Sequence, residues 1–281
     1  MDRRRRTVRR WAALAACLGV IAVAVVMVVA AQQALIYHPD PTPVGSIEDR
    51  VDAGRDVVLH TQDGLELGAW LLPPTGRDRK VAVLYCPGNG GNRLDRLEVA
   101  TAIAAHGFTV LLMDYRGYGG NPGSPSEAGF ASDARAAVDV LRGEGFDAAH
   151  TLYVGESIGT GVVARLAATD PPAGALLRSP FTSLADVVRA RVPLLPAGLL
   201  RDSYPSAEHL AGSDVPVRIL YGDADEVVPP RLSVDLAQRV GHLQDVVVVA
   251  GAGHNDLVWF RSFLAGEVAE LADMTTPSRT P

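Results

Sequence analysis

Six segments of this chain carry apolar residues at consecutive positions: VAVLYC (81–86), FTVLLMDY (108–115), HTLYVG (150–155), GALLRSP (174–180), VRILYG (217–222) and DVVVVAG (245–251). A strand with one wet face alternates apolar and polar residues, so strands that are apolar on both faces are covered on both sides. Helical patterns separate the first runs, at 94–105, 126–145 and 160–170. Alternation of this kind predicts a parallel sheet with helices on each face. Before it, DVVLHTQDGLELGAWLLP (56–73) predicts a hairpin turning at Asp63-Gly64. In an open parallel sheet ligands bind beyond the carboxyl ends of the strands, so chemistry is expected where these runs stop.

The N-terminus belongs to a different environment. MDRRRRTVRR carries six Arg and one Asp, leaving −11 on the rest of a chain whose net charge is −6. So acidic a body is a poor partner for nucleic acid. The basic tip (1–10) abuts WAALAACLGVIAVAVVMVVAA (11–31), which has no charged residue. As a helix this run is about 31 Å long, close to one hydrocarbon core. It exceeds the roughly 7–15 apolar residues of a cleaved signal peptide. The expectation is therefore one N-terminal transmembrane helix, a signal anchor, with Trp11 and Tyr37 at the two interfaces. Its N-terminus would be cytoplasmic and the body extracytoplasmic, at the cell membrane. The competing outcome is cleavage near Ala30-Ala31. Residues 32–50 read as a linker, 51–272 as the globular domain and 273–281 as a tail. The proline-rich, partly apolar stretch 190–210 interrupts the alternation and reads as a short lid. Of the two cysteines, Cys17 lies in the apolar run and Cys86 ends a predicted strand. Neither a disulfide nor a cysteine-based metal site is expected.

Three of these strand ends carry chemistry-bearing residues. Gly155-Glu156-Ser157-Ile158-Gly159 matches G-x-S-x-G between a strand and a helix, the context in which a tight turn exposes a serine nucleophile. A serine hydroxyl is weak without a base. YGDADEVVPP follows the run VRIL, and AGAGHNDL follows DVVVV. The chain order is thus Ser157, an aspartate, then His254. His254 would take the Ser157 proton, and the acid would hold the imidazole tautomer. Asp223 and Asp225 compete for the acid role, with Asp256 too near His254 in sequence to reach its Nδ1. Glu156 is expected to line the site or pair locally. Backbone N–H donors for an oxyanion are expected from Ile158 and from the glycine-rich loop CPGNGGNR, which lacks the Gly-Lys-Ser/Thr of a phosphate loop.

With these residues in place, the chain resembles the α/β-hydrolase fold and, more narrowly, its Bem46-like branch. PGNGGN is similar to that branch's HGNAGN loop, DYRGYGGNPGSPSE (114–127) to its DYRGYG-S-x-G-x-P-x-E segment, and SPFTSL (179–184) also fits. The resemblance runs from about 57 to 257. It implies a mostly parallel, doubly wound sheet with a short lid. Aligned to G-x-x-D-x-x-V-P, positions Gly222, Asp225, Val228 and Pro229 make Asp225 the acid, and Asn89 becomes the second oxyanion N–H. Pro87 replaces the branch's usual His, and Asn121 a common Ser; neither is a triad member. Asp114 and Arg116 are read as an ion pair holding the turn.

The function implied is a membrane-anchored serine hydrolase cleaving carboxylic esters or thioesters through an acyl-enzyme on Ser157. No metal or organic cofactor is required. The substrate is a small-molecule or lipid-like ester, and the protein is expected as a monomer. Two alternatives are a serine aminopeptidase-like peptidase and a non-catalytic binding protein on the same fold. The first needs a larger cap and an acidic anchor for an amine, and an intact triad argues against the second.

Overall fold

The structure is a computed structural model. It describes residues 32–34, 36–192, 198 and 200–276, together with 7, 10, 11, 14–20, 23 and 26. Among the described residues the strands are β1 His38–Pro39, β2 Arg55–His60, β3 Glu66–Leu72, β4 Ala82–Cys86, β5 Gly90–Gly91, β6 Thr109–Met113, β7 Thr151–Glu156, β8 Gly174–Arg178, β9 Val217–Gly222 and β10 Leu243–Val249. The α-helices are α1 Leu97–Ala105, α2 Glu127–Gly143, α3 Ile158–Thr169, α4 Leu184–Arg191, α5 Ser206–Ala211, α6 Pro230–Ala237 and α7 Ser262–Thr275.

Eight strands form one sheet in the order β10-β9-β8-β7-β4-β6-β3-β2. The expected hairpin is β2–β3, paired antiparallel from Arg55↔Leu71 to His60↔Glu66, with Gly64 at φ +85 in its turn. β3 also runs antiparallel to β6, whereas every pairing from β6 to β10 is parallel. The period of two along each strand divides the core. Ala82, Leu84 and Cys86 face one layer with Phe130 of α2, Val163 of α3 and Leu210 of α5. Val83 and Tyr85 face the other, with Ile103 of α1 and Leu264 of α7. The apolar run of β10 lies at the sheet edge and is only partly covered; Val248 is 49% exposed.

The structure redraws several boundaries. Residues 36–50 are not a free linker. Tyr37, Val44 and Ile47 are buried, and β1 pairs in parallel with β5. Tyr37 belongs to the core and not to a membrane interface. Its hydroxyl donates to Asp202 at 2.7 Å and meets Tyr204 at 2.9 Å, and its ring packs edge-on against Phe130. The second half of the expected lid is likewise core. Tyr204 and Leu210 are buried, and α5 packs against α3. Positions 193–197 and 199 of that lid lie outside the described residues. The helix α7 runs past 272 to Thr275, and 277–281 also lie outside. The expected anchor at 11–31 lies largely outside them too; among the described residues no helix is long and apolar enough to cross a membrane.

Candidate active site

The parallel register brings the expected loops together. Cys86, the last residue of β4, pairs with Gly155 of β7, so the loop after β4 and the turn after β7 emerge side by side. β8, β9 and β10 follow along the same edge.

Ser157 occupies the turn between β7 and α3 at φ 52, ψ −118. A positive φ is costly for a residue with a Cβ, and such strain persists only where the surroundings enforce it. Here they do. The Ser157 N–H donates to Arg178 O at 2.9 Å. A Cβ on Gly155 would come within 2.7 Å of Gly159 O, and one on Gly159 within 2.3 Å of Cys86 O. Both glycines of the motif are therefore required by close backbone approach.

His254, on the loop after β10, places Nε2 3.0 Å from Ser157 Oγ and Nδ1 2.7 Å from Asp225 Oδ2. All three residues are buried. The other oxygen of Asp225 accepts from the Val227 and Val228 amides at 2.9 and 2.8 Å. Burial pushes the Asp225 carboxyl up, but the His254 hydrogen bond and charge, with the Val228 amide, outweigh it and hold it below the ordinary range. Asp223 instead accepts from the Gly251 amide at 2.6 Å, and Asp256 from the Gly253 amide at 2.8 Å. Neither reaches the imidazole.

Asn89 and Ser157 border one open space, and Ile158, the residue after the nucleophile, begins α3 beside it. That space is a cleft of about 420 Å³ whose lining includes His38, Asn89, Arg96, Ser157, Val227 and Phe260. A somewhat larger cleft, about 480 Å³, lies by α5, with His209 and Asp214 on its wall. Ser213 lines it too, but its Oγ accepts from the Val215 amide at 3.2 Å and no hydrogen bond joins it to His209 among the described residues, so chemistry and not size selects the first.

Sequence reasoning missed the arginines beneath the nucleophile. Glu156 is buried and accepts from Arg96 Nη2 at 2.7 Å and from the Tyr85 hydroxyl at 2.9 Å, with Arg178 Nη2 2.8 Å away. Burial raises its carboxyl, but Arg96 and Arg178 overcome this and hold it down at about 2. Arg178 Nη1 also donates to His254 O at 2.7 Å, tying the residue before the nucleophile to the histidine loop. The signal was a charged residue inside G-x-S-x-G and an arginine ending an otherwise apolar strand. The anticipated Asp114–Arg116 pair does not form. Asp114 pairs with Arg93 at 2.7 Å, and Arg116 with Asp63 and Asp133, each at 2.7 Å. Burial pushes the Asp114 carboxyl up to about 6 against the pull of Arg93. Asn121, where a Ser is common, bridges β3 to this turn, accepting from Gly68 N at 2.7 Å and donating to Asp114 O at 3.1 Å. Cys86 is buried, and its thiol is pushed up to about 12, which makes it inert.

Comparison with known proteins bears on the family and the fold. A profile described as the alpha/beta hydrolase fold matches residues 81–215. An uncharacterized protein of Mycobacterium tuberculosis is 48% identical over 86% of this chain and 87% of its own length. Protein bem46 of Schizosaccharomyces pombe is 30% identical over 76% of this chain and 77% of its own. Among solved structures, an esterase of Pyrococcus furiosus superposes with a TM-score of 0.68 at 18% identity, covering 85% of this chain and 97% of that one. At that identity the likeness speaks to the fold.

Proposed function

The chain belongs to the α/β-hydrolase fold family, in the branch that includes bem46, and from that premise we propose that it is a serine hydrolase acting on carboxylic esters or thioesters. One observation carries the proposal: Ser157 Oγ, His254 and Asp225 form a continuous hydrogen-bonded chain, with the serine held at a strained positive φ above the sheet. Esterases among the structural neighbours agree with it.

The chemistry follows from the geometry. Ser157 Oγ attacks the acyl carbon while its proton passes to His254 Nε2. The carbonyl oxygen gains a negative charge and is met by the N–H groups of Asn89 and Ile158, the latter at the start of α3, where the helix dipole favours an anion. His254 then protonates the leaving alkoxide or thiolate. Water, deprotonated by His254, attacks the acyl-enzyme and releases the acid. Asp225 stabilises the imidazolium in both halves without taking its proton.

The apolar run 11–31 and its six flanking arginines support a signal anchor, with the hydrolase body outside the cytoplasm. The substrate is then an ester within reach of a membrane surface. A fluorophosphonate probe and a chain-length series of p-nitrophenyl esters and acyl thioesters test the activity. Ser157→Ala should abolish labelling and turnover; equal labelling of the variant overturns the proposal.

A further inference from the structure

Asn89 can stabilise an oxyanion only if its N–H points into the cleft, so the contacts that hold its peptide unit matter to the reaction. The fixing contacts come from two other segments. The turn after β6 supplies two tyrosines. Tyr115 OH donates to Pro87 O at 3.1 Å, and Tyr118 OH donates to Asn89 O at 2.9 Å. These carbonyls belong to the peptide units on either side of the one that carries the Asn89 N–H, so both neighbours of that unit are held. Tyr115 and Tyr118 are themselves buried and packed against Phe130.

The second segment is the N-terminal strap, 36–40. Its β1 residues pair with the loop itself, His38↔Gly90 and Pro39↔Gly91. The Asn89 side-chain amide donates to Ile36 O. Asp40 N–H donates to Gly91 O at 3.3 Å, and an Asp40 carboxylate oxygen accepts from Asn92 Nδ2 at 3.1 Å. The strap is tied in turn to the tyrosine turn, since Gly119 N–H donates to Asp40 O at 2.8 Å. Strap, oxyanion loop and turn thus close a ring of contacts around one peptide unit.

We infer that Tyr118 and the strap residue Asp40 are positioning residues that aim the Asn89 N–H at the developing oxyanion. This rests on the hydrolase reading above and assigns work to a segment that lies before the first strand of the main sheet. A positioning role has a kinetic signature. An interaction made only in the transition state changes kcat and leaves KM in place.

The test uses the full-length protein with p-nitrophenyl butyrate, and follows fluorophosphonate labelling of Ser157 in parallel. Tyr118→Phe removes one hydroxyl and is expected to lower kcat about tenfold at unchanged KM, as for a modest misplacement of a catalytic group. Labelling should slow with it, because the phosphonyl oxygen uses the same donors. Tyr153→Phe is the control: its hydroxyl also donates to a backbone carbonyl, Asp170 O at 3.1 Å, but away from the cleft. It should leave kcat intact. Asp40→Ala should lower kcat, and Asp40→Asn, which keeps a side-chain acceptor, should recover part of the loss. Variants that match the wild type, that raise KM alone, or that lose no more activity than Tyr153→Phe would overturn the inference while leaving the hydrolase reading standing. A wild-type protein with neither turnover nor labelling would remove both.

Discussion

Asp223 and Asp225 stand two positions apart after the same strand, yet one meets His254 and the other caps a neighbouring loop. The difference predicts unequal mutants. Asp225→Asn should reduce kcat by about 10⁴-fold, the loss seen when a triad acid is made neutral, and Asp223→Asn by less than about tenfold, since it touches no triad member. Steady-state kinetics on both decide it; the reverse order would sink the assignment. Because Asp225 is held below the ordinary carboxylate range, it remains charged while activity declines with falling pH. Asp225 should therefore add no proton of its own to that limb. Glu156 predicts a pH effect on stability. Its carboxyl is held at about 2, against 4.5 ordinarily. The folded state therefore binds this proton more weakly than the unfolded state. The resulting stabilisation, about 3 kcal/mol, is fully present above pH 5 and is lost as pH falls toward 2. Glu156→Gln should lower the melting temperature at pH 7 and flatten its dependence between pH 5 and 3. Parallel curves for variant and wild type would refute this account.

The elements around the nucleophile were legible in sequence to the extent that their signals were local. The strand–GESIG–helix turn, the hairpin at Asp63-Gly64 and the order serine, acid, histidine each depend on a few adjacent residues, and each appears in the structure. The strap did not, because β1 is two residues long and its partner lies about fifty positions away; no periodicity marks such a strand. The lid was misread in part for a related reason. Prolines signal interruption of a helix or strand but not where the chain goes next, and Tyr204–Leu210 returns to the core. Two glycines show the contrast between a position with a local signal and one without. In α3, a Cβ on Gly159 would meet Cys86 O at 2.3 Å and Pro87 O at 2.6 Å, backbone atoms at the end of β4. In α7, a Cβ on Gly266 would meet nothing within 4 Å. The motif's tight turn already marks Gly159 as a position that must stay small, whereas no motif marks Gly266 either way. The structure predicts opposite outcomes in thermal melts. Gly159→Ala should destabilise by about 3 kcal/mol or more through overpacking, whereas Gly266→Ala should stabilise by up to about 1 kcal/mol through helix propensity.

At the scale of the whole molecule, the site lies close in sequence to the N-terminal segment. His38 lines the cleft, and only seven positions separate it from the end of the apolar run at 31. Fully extended, seven residues reach about 25 Å, so a body held by this run keeps its catalytic mouth within a short distance of the membrane. Cutting the chain near Ala30-Ala31 would release the body but leave the strap in place, so the shortened protein should retain its kcat on a soluble ester. The two fates are therefore separable by location and not by chemistry. With the anchor intact, fractionation should find the protein in the membrane, and protease added to intact cells should digest the body. A body reached only after lysis would reverse the orientation, and a shortened body free in the medium or periplasm would make the run a cleaved signal. In the anchored case the active-site cysteine neighbour faces an oxidising space. Cys86 tolerates it because it is fully buried with its thiol pushed up to about 12. A thiol-alkylating reagent applied to the folded protein should accordingly leave Cys86 unmodified until denaturant is added.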